Sequence, residues 1–118
     1  MKLTELTSKI KYKEILEKYN YDWNQISKHE YLSEEFIEKY KDKLDWFSIT
    51  RYQKLSEEFM DKFMYKLPWN FVSEYQTLSE SFIEKHQDIV DWKLILIYQN
   101  LSKEFKIKYR KLICNEIN

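Results

Sequence analysis

LSEEFIEKYKDKLDWFSITRYQK, residues 32–54, decides how this chain is read, because the next residues begin it again. Residues 55–77 read LSEEFMDKFMYKLPWNFVSEYQT, and residues 78–100 read LSESFIEKHQDIVDWKLILIYQN. A partial copy, LSKEFKIKYRKLICNEIN, follows from Leu101. Leu32, Leu55, Leu78 and Leu101 stand 23 residues apart, as do Trp23, Trp46, Trp69 and Trp92. A fixed period of this length is the sequence signature of a repeat array, in which copies bury apolar surface against one another. Residues 1–31 hold a degenerate copy: Ile15-Leu16-Glu17-Lys18-Tyr19 matches Phe36-Ile37-Glu38-Lys39-Tyr40, and Tyr21-Asp22-Trp23 matches Leu44-Asp45-Trp46 once two residues are deleted between them. The leader up to about Lys13 is expected to be an irregular cap with some helix.

Each full copy predicts two short helices. Ser33 is a good N-cap, Glu34 and Glu35 place negative charge in the first turn, and Lys39, Lys41 and Lys43 place positive charge at the far end. Phe36, Ile37, Tyr40 and Leu44 share one face at helical spacing. Asp45 is a second N-cap, and Trp46, Ile49, Tyr52 and Gln53 are expected to form the buried stripe of a second helix of about two turns. Pro68 replaces Asp45 in the next copy, which suits a helix start. Helices this short are marginal alone, so stability must come from packing copy on copy. The expected fold is all-α: roughly four to four and a half αα copies stacked as a small solenoid in one domain, 1–118. Its parts are an N-terminal cap at 1–31, full copies at 32–54, 55–77 and 78–100, and a partial copy or cap at 101–118.

Comparing copies separates frame from variable surface. The recurring Leu, Ser, Phe, Trp, Ile/Val, Tyr (52, 75, 98) and Gln (53, 76, 99) positions are assigned to core, caps and joints. The varying positions are Lys41/Met64/Gln87, Asp42/Tyr65/Asp88, Phe47/Asn70/Lys93, Ser48/Phe71/Leu94 and Arg51/Glu74/Ile97. Among these, Phe47, Arg51, Met64, Tyr65, Phe71, Leu94 and Ile97 are the candidate partner-binding residues. The stretch WKLILIY (92–98) is apolar nearly all round, so it is expected to be buried on both faces, either under residues 101–118 or in a partner or self-association patch, joined by Met64, Tyr65 and Phe71, that in the second case makes a homodimer through 93–97.

The DW and YQ elements at this spacing resemble a family of 23-residue tandem repeats found in proteins of phages, mobile elements and large DNA viruses, with copies reading much like LSE-x-F-I-x-x-(Y/F)-x-D-x-(V/L)-D-W-x-x-I-S-x-(Y/F)-Q. The likeness covers Leu32 to about Ile113. It departs at Pro68, at Leu96 in a Ser/Thr position, and at the N-terminal deletion. The resemblance implies a host–virus setting, where small proteins often inhibit bacterial defence complexes, and implies no particular activity.

Composition narrows the partners. Hydrophobic residues make up 43% and charged residues 34%, which is a folded composition. Formal net charge is zero, which removes the general electrostatic case for a nucleic acid or a membrane surface. The charge is uneven, at +1 for residues 1–31, −4 for 32–100 and +3 for 101–118. Lys103, Lys106, Lys108, Arg110 and Lys111 therefore form an alternative phosphate-contacting cluster, and the first-turn acids Glu34, Glu57 and Glu80 an alternative phosphate-mimicking row. No apolar run approaches a membrane span, the start MKLTELTSKIKYKE lacks a signal-peptide core, and the one cysteine, Cys114, cannot form an internal disulfide, so a reducing cytoplasm is expected.

Chemistry is hard to find. His29 and His86 fall in positions that other copies fill with Tyr or Phe, and they lack Cys or Asp partners at metal-ligand spacing. Cys114 stands in the Asp45/Asp91 position with no base beside it. With no glycine the chain has no phosphate-cradling loop. The reading is a non-catalytic protein-binding module, with no catalytic, metal or cofactor residue assigned. Its partner is expected to be a protein, in the resemblance's setting a host defence complex.

Overall fold

The computed structural model describes residues 2–117, with the backbone alone at 4 and 115–117. Among the described residues it is all-helical: α1 (Leu3–Lys18), α2 (Trp23–His29), α3 (Glu34–Lys39), α4 (Trp46–Tyr52), α5 (Glu57–Lys62), α6 (Trp69–Tyr75), α7 (Glu80–Lys85), α8 (Trp92–Tyr98), α9 (Lys103–Lys108) and α10 (Arg110–Ile117). Starts recur at the repeat spacing, a Glu-led A helix followed by a Trp-led B helix. The expectation of a helical repeat array is met. The leader differs from expectation: it belongs to α1, one regular helix of 16 residues.

The caps follow the sequence. Ser33, Ser56, Ser79 and Ser102 each accept from the backbone N–H three residues on. Asp22, Asp45 and Asp91 cap the B helices through their carboxylates, while Pro68 holds the same extended backbone without a side-chain bond. Between α1 and α2 the two-residue deletion has a conformational cost. Asn20 and Tyr21 take φ of 50° and 58° in a chain without glycine to relieve them.

The chain divides into two compact units, residues 1–53 and 54–118. In the first, α2 packs against α4, and Tyr12 of α1 sets its ring edge on Phe36 of α3 at 5.0 Å. In the second, α6 packs against α8, and α10 lies on α8 and α9. Every B helix buries its central apolar residue completely: Ile26, Ile49, Val72 and Ile95.

Polar side chains then lock one copy to the next. Gln53 accepts from the Leu32 N–H at 3.0 Å and donates to the Glu30 and Ser27 carbonyls at 2.6 and 3.4 Å, which seals the link between α2 and α3. Gln99 does the same for Leu78, Gln76 and Ser73 at 3.1, 2.7 and 2.9 Å. Each of Trp46, Trp69 and Trp92 donates its indole N–H to a carbonyl five residues back, closing the turn between A and B helices. Their rings serve the joints as well: Trp92 stacks on Tyr109 at 5.2 Å and Trp69 lies on His86 at 4.9 Å.

The first-turn acids also work at the joints. The Ser79 N–H and hydroxyl donate to Glu57 at 2.8 and 2.9 Å, and those of Ser102 to Glu80 at 2.7 and 3.0 Å. One turn further along, Asp61 accepts from Lys85 at 2.8 Å and His86 at 2.6 Å, and Glu84 accepts from Lys108 and from the Tyr109 hydroxyl at 2.5 Å. The degenerate copy uses the same chemistry inside itself, since Glu30 stands in the Gln53 position and takes Lys18 and the Tyr19 hydroxyl at 3.0 and 2.9 Å. Among the described residues no buried side-chain nitrogen or oxygen lacks a hydrogen bond.

Candidate functional site

What the joints leave over is the outward side of the B helices. A seven-residue helix has two turns, so only one narrow ridge can face the core. Ile49 takes that ridge in α4, with Ser48 and Thr50 buried on its shoulders, and Gln53 then turns inward from extended backbone at φ −100°, ψ 144°. Tyr52 is thereby pushed outward. It is 50% exposed, and its counterparts Tyr75 and Tyr98 are 41% and 54% exposed. The expectation that these tyrosines belong to the buried stripe is therefore wrong. The polar glutamine next to them takes the inward place because it has two backbone carbonyls and an N–H to satisfy.

In the second unit α6 and α8 together present Phe71, Tyr75, Leu94, Ile97 and Tyr98. The 23-residue register gives Phe71 and Leu94 one repeat position and Tyr75 and Tyr98 another, on two helices that pack together. Phe71 meets Tyr75 edge-on at 5.6 Å, and both Phe71 and Leu94 are half-buried. Ile97 is 59% exposed, so α8 is not buried on both faces as its composition suggested. Of the segment expected to cover it, 101–118, α10 does pack on α8, while Lys93 and Ile97 stay exposed; Asn118 lies outside the described residues. Glu74 sits against Tyr98, and its carboxylate charge and hydrogen bond raise the phenol above the ordinary tyrosine range. The patch is thus apolar and aromatic with one carboxylate–phenol pair at its edge.

The other candidates belong to elements other than α6 and α8. Met64 is half-buried, its carbonyl accepting the Trp69 indole N–H, while Tyr65 beside it in the turn after α5 is 95% exposed. In the first unit Phe47 and Arg51 are exposed on α4, with the Arg51 guanidinium over the Tyr52 ring at 5.1 Å. Recurrence at a fixed spacing does not distinguish these exposed tyrosines from the buried positions that recur beside them.

Of the basic cluster, Lys103 and Lys106 lie exposed on α9, and Arg110 and Lys111 on the first turn of α10. Lys108 is engaged by Glu84. His86 is buried against Trp69 and Phe82 and bonded to Asp61, the place a tyrosine ring takes in other copies. His29 and Cys114 are exposed. Among the described residues no group of three or more His, Cys, Asp or Glu is placed to hold a metal ion, and no helix is long and apolar enough to cross a membrane. No protein-family model, curated protein or solved structure matches the chain.

Proposed function

We propose that this chain is a non-catalytic protein-binding module that grips its partner through the outward faces of its B helices. The observation that carries the reading is the α6–α8 patch. Phe71, Tyr75, Leu94, Ile97 and Tyr98 gather apolar and aromatic surface on the outward side of α6 and α8, with Tyr75, Ile97 and Tyr98 exposed and Phe71 and Leu94 half-buried. Aromatic and aliphatic side chains of this kind supply most of the affinity in protein interfaces. Phe47 and Arg51 extend the same use of the B helix to α4. The resemblance to phage and mobile-element repeats supplies the setting: the partner is a host defence complex, and the module is its inhibitor in the host cytoplasm.

Nucleic-acid binding or phosphate mimicry is the less favoured alternative. Glu57 and Glu80 each hold the next serine with two hydrogen bonds, so two members of the acidic row already serve as joints. One of the five C-terminal cations is likewise engaged. The test is affinity capture from host lysate, read by mass spectrometry, with the wild type and an F71D/L94S/I97D variant compared. The variant should keep its helical circular dichroism and lose the captured partner. A folded variant that captures the same partner equally well removes the α6–α8 patch from the proposal.

A further inference from the structure

A second surface differs from the B-helix faces in kind. On α5 and α7, the first two A helices of the second unit, two acidic positions four residues apart receive the following A helix. On α5 they are Glu57 and Asp61, which hold Ser79, Lys85 and His86. On α7 they are Glu80 and Glu84, which hold Ser102, Lys108 and Tyr109. On α9 the same two positions are Lys103 and Ile107. The joint has changed sign at one position and lost its charge at the other.

Among the described residues neither replacement is shown holding a neighbouring helix. Lys103 is exposed and Ile107 is 63% exposed, because α10 packs on α8 and α9 without covering this side. Ile107 opens into a groove of about 360 Å³ shared with Leu112, Arg110 and Lys111. Leu112 is itself 37% exposed, and residues 101–118 carry a net +3. An A helix of the internal kind does not fit here. Its N-cap serine would point N–H and hydroxyl donors at an ammonium, and its Lys would meet an isobutyl-sized apolar group in place of a carboxylate.

We propose that this side of α9 docks a helix of another protein with the opposite polarity. Such a helix carries Asp or Glu at its N-cap, to pair with Lys103, and Leu or Phe six to seven residues later, to cover Ile107 and Leu112. That interval is the one from Ser79 to Lys85 and His86 at the internal joint. Further carboxylates beyond the apolar residue meet Arg110 and Lys111. The geometry is that of the internal joints, and charge complementarity selects the occupant.

The test uses the full chain and three labelled probes in fluorescence anisotropy: a short capped peptide of this acidic–apolar pattern, a peptide with Ser and Lys-Tyr at the same places, and oligothymidylate. The acidic–apolar peptide should bind, more weakly as salt rises, and K103E or I107D should each reduce its affinity by about tenfold, which corresponds to about 1.4 kcal/mol. The K103E/I107D double variant restores the internal carboxylates and should shift preference to the Ser/Lys-Tyr peptide. Both substitutions are on exposed side chains, so unchanged circular dichroism checks the fold. Equal binding of the two peptides, binding indifferent to both substitutions, or tighter binding of oligothymidylate overturns the proposal. Because F71D/L94S/I97D leaves this surface intact, failure here and failure of the B-helix reading are separable.

Discussion

Gln53→Leu tests the claim that a glutamine holds each copy to the one before it. Gln53 is 6% exposed and makes two strong bonds, from the Leu32 N–H at 3.0 Å and to the Glu30 carbonyl at 2.6 Å, with a longer one to the Ser27 carbonyl at 3.4 Å. Leucine keeps the approximate volume and offers neither donor nor acceptor. Two buried backbone groups are then orphaned at about 1–3 kcal/mol each, partly offset by the gain in apolar burial of about 1 kcal/mol. The net loss should be about 3 kcal/mol. With an m-value of about 2 kcal/mol/M in urea, the unfolding midpoint should fall by about 1.5 M. Amide hydrogen exchange gives the local readout: Leu32 should exchange about a hundredfold faster, while Leu78, held by Gln99, keeps its protection. Tyr52→Ser, one residue away and half exposed, is the control and should cost no more than about 0.5 kcal/mol. A midpoint shift under about 0.3 M together with an undisturbed Leu32 amide would refute the clamp, since those bonds would then have no net value.

Trp92→Ala should destabilise by about 3–5 kcal/mol in the same assay, because the ring is buried, stacked on Tyr109 and bonded to the Gln87 carbonyl. Tyr21→Gly should raise stability by about 1 kcal/mol, seen as a higher melting temperature, by relieving a left-handed backbone at φ 58°. Acid should loosen the joints. Lys85 above all holds the Asp61 carboxyl below its ordinary value, as Lys108 does for Glu84 and Lys18 for Glu30. A carboxylate whose folded pKa is depressed stabilises the fold above its unfolded pKa of about 4, and that stability is lost as pH falls through the folded value. Melting temperature should therefore drop below about pH 4, and D61N/E84Q should have a lower melting temperature at neutral pH and a shallower acid limb.

The period, the caps and the apolar ridge of each helix were legible because they are local. Ser33 and Asp45 cap helices that begin at the next residue, and Ile49 sits at a spacing that any helix would bury. The joints were less legible. Glu57 reads as a dipole partner of its own helix until Ser79, 22 residues on, is seen one helix across. The buried hydroxyls are hard to read from sequence for the same reason. Ser27 and Ser73 accept from the N–H of Asp45 and Asp91, 18 residues later, and Leu96 departs from the pattern where its counterpart, Cys114, lies inside α10 instead of capping a helix.

Recurrence within one chain therefore carries two meanings that spacing alone does not separate. A residue recurs when each copy must satisfy the same backbone groups, as Gln53 and Gln99 do, and such residues turn inward even though they are polar. Tyr52, Tyr75 and Tyr98 recur next to them and turn outward. The distinction is one of unsatisfied groups. Wherever the extended link between copies leaves a carbonyl and an N–H facing the core, a side chain able to serve both must enter, and the neighbouring aromatic is displaced to the surface. The outward placement of these tyrosines is thus a by-product of the clamp. Under the proposed function, substitutions of these exposed tyrosines should change what the protein holds far more than how firmly it folds.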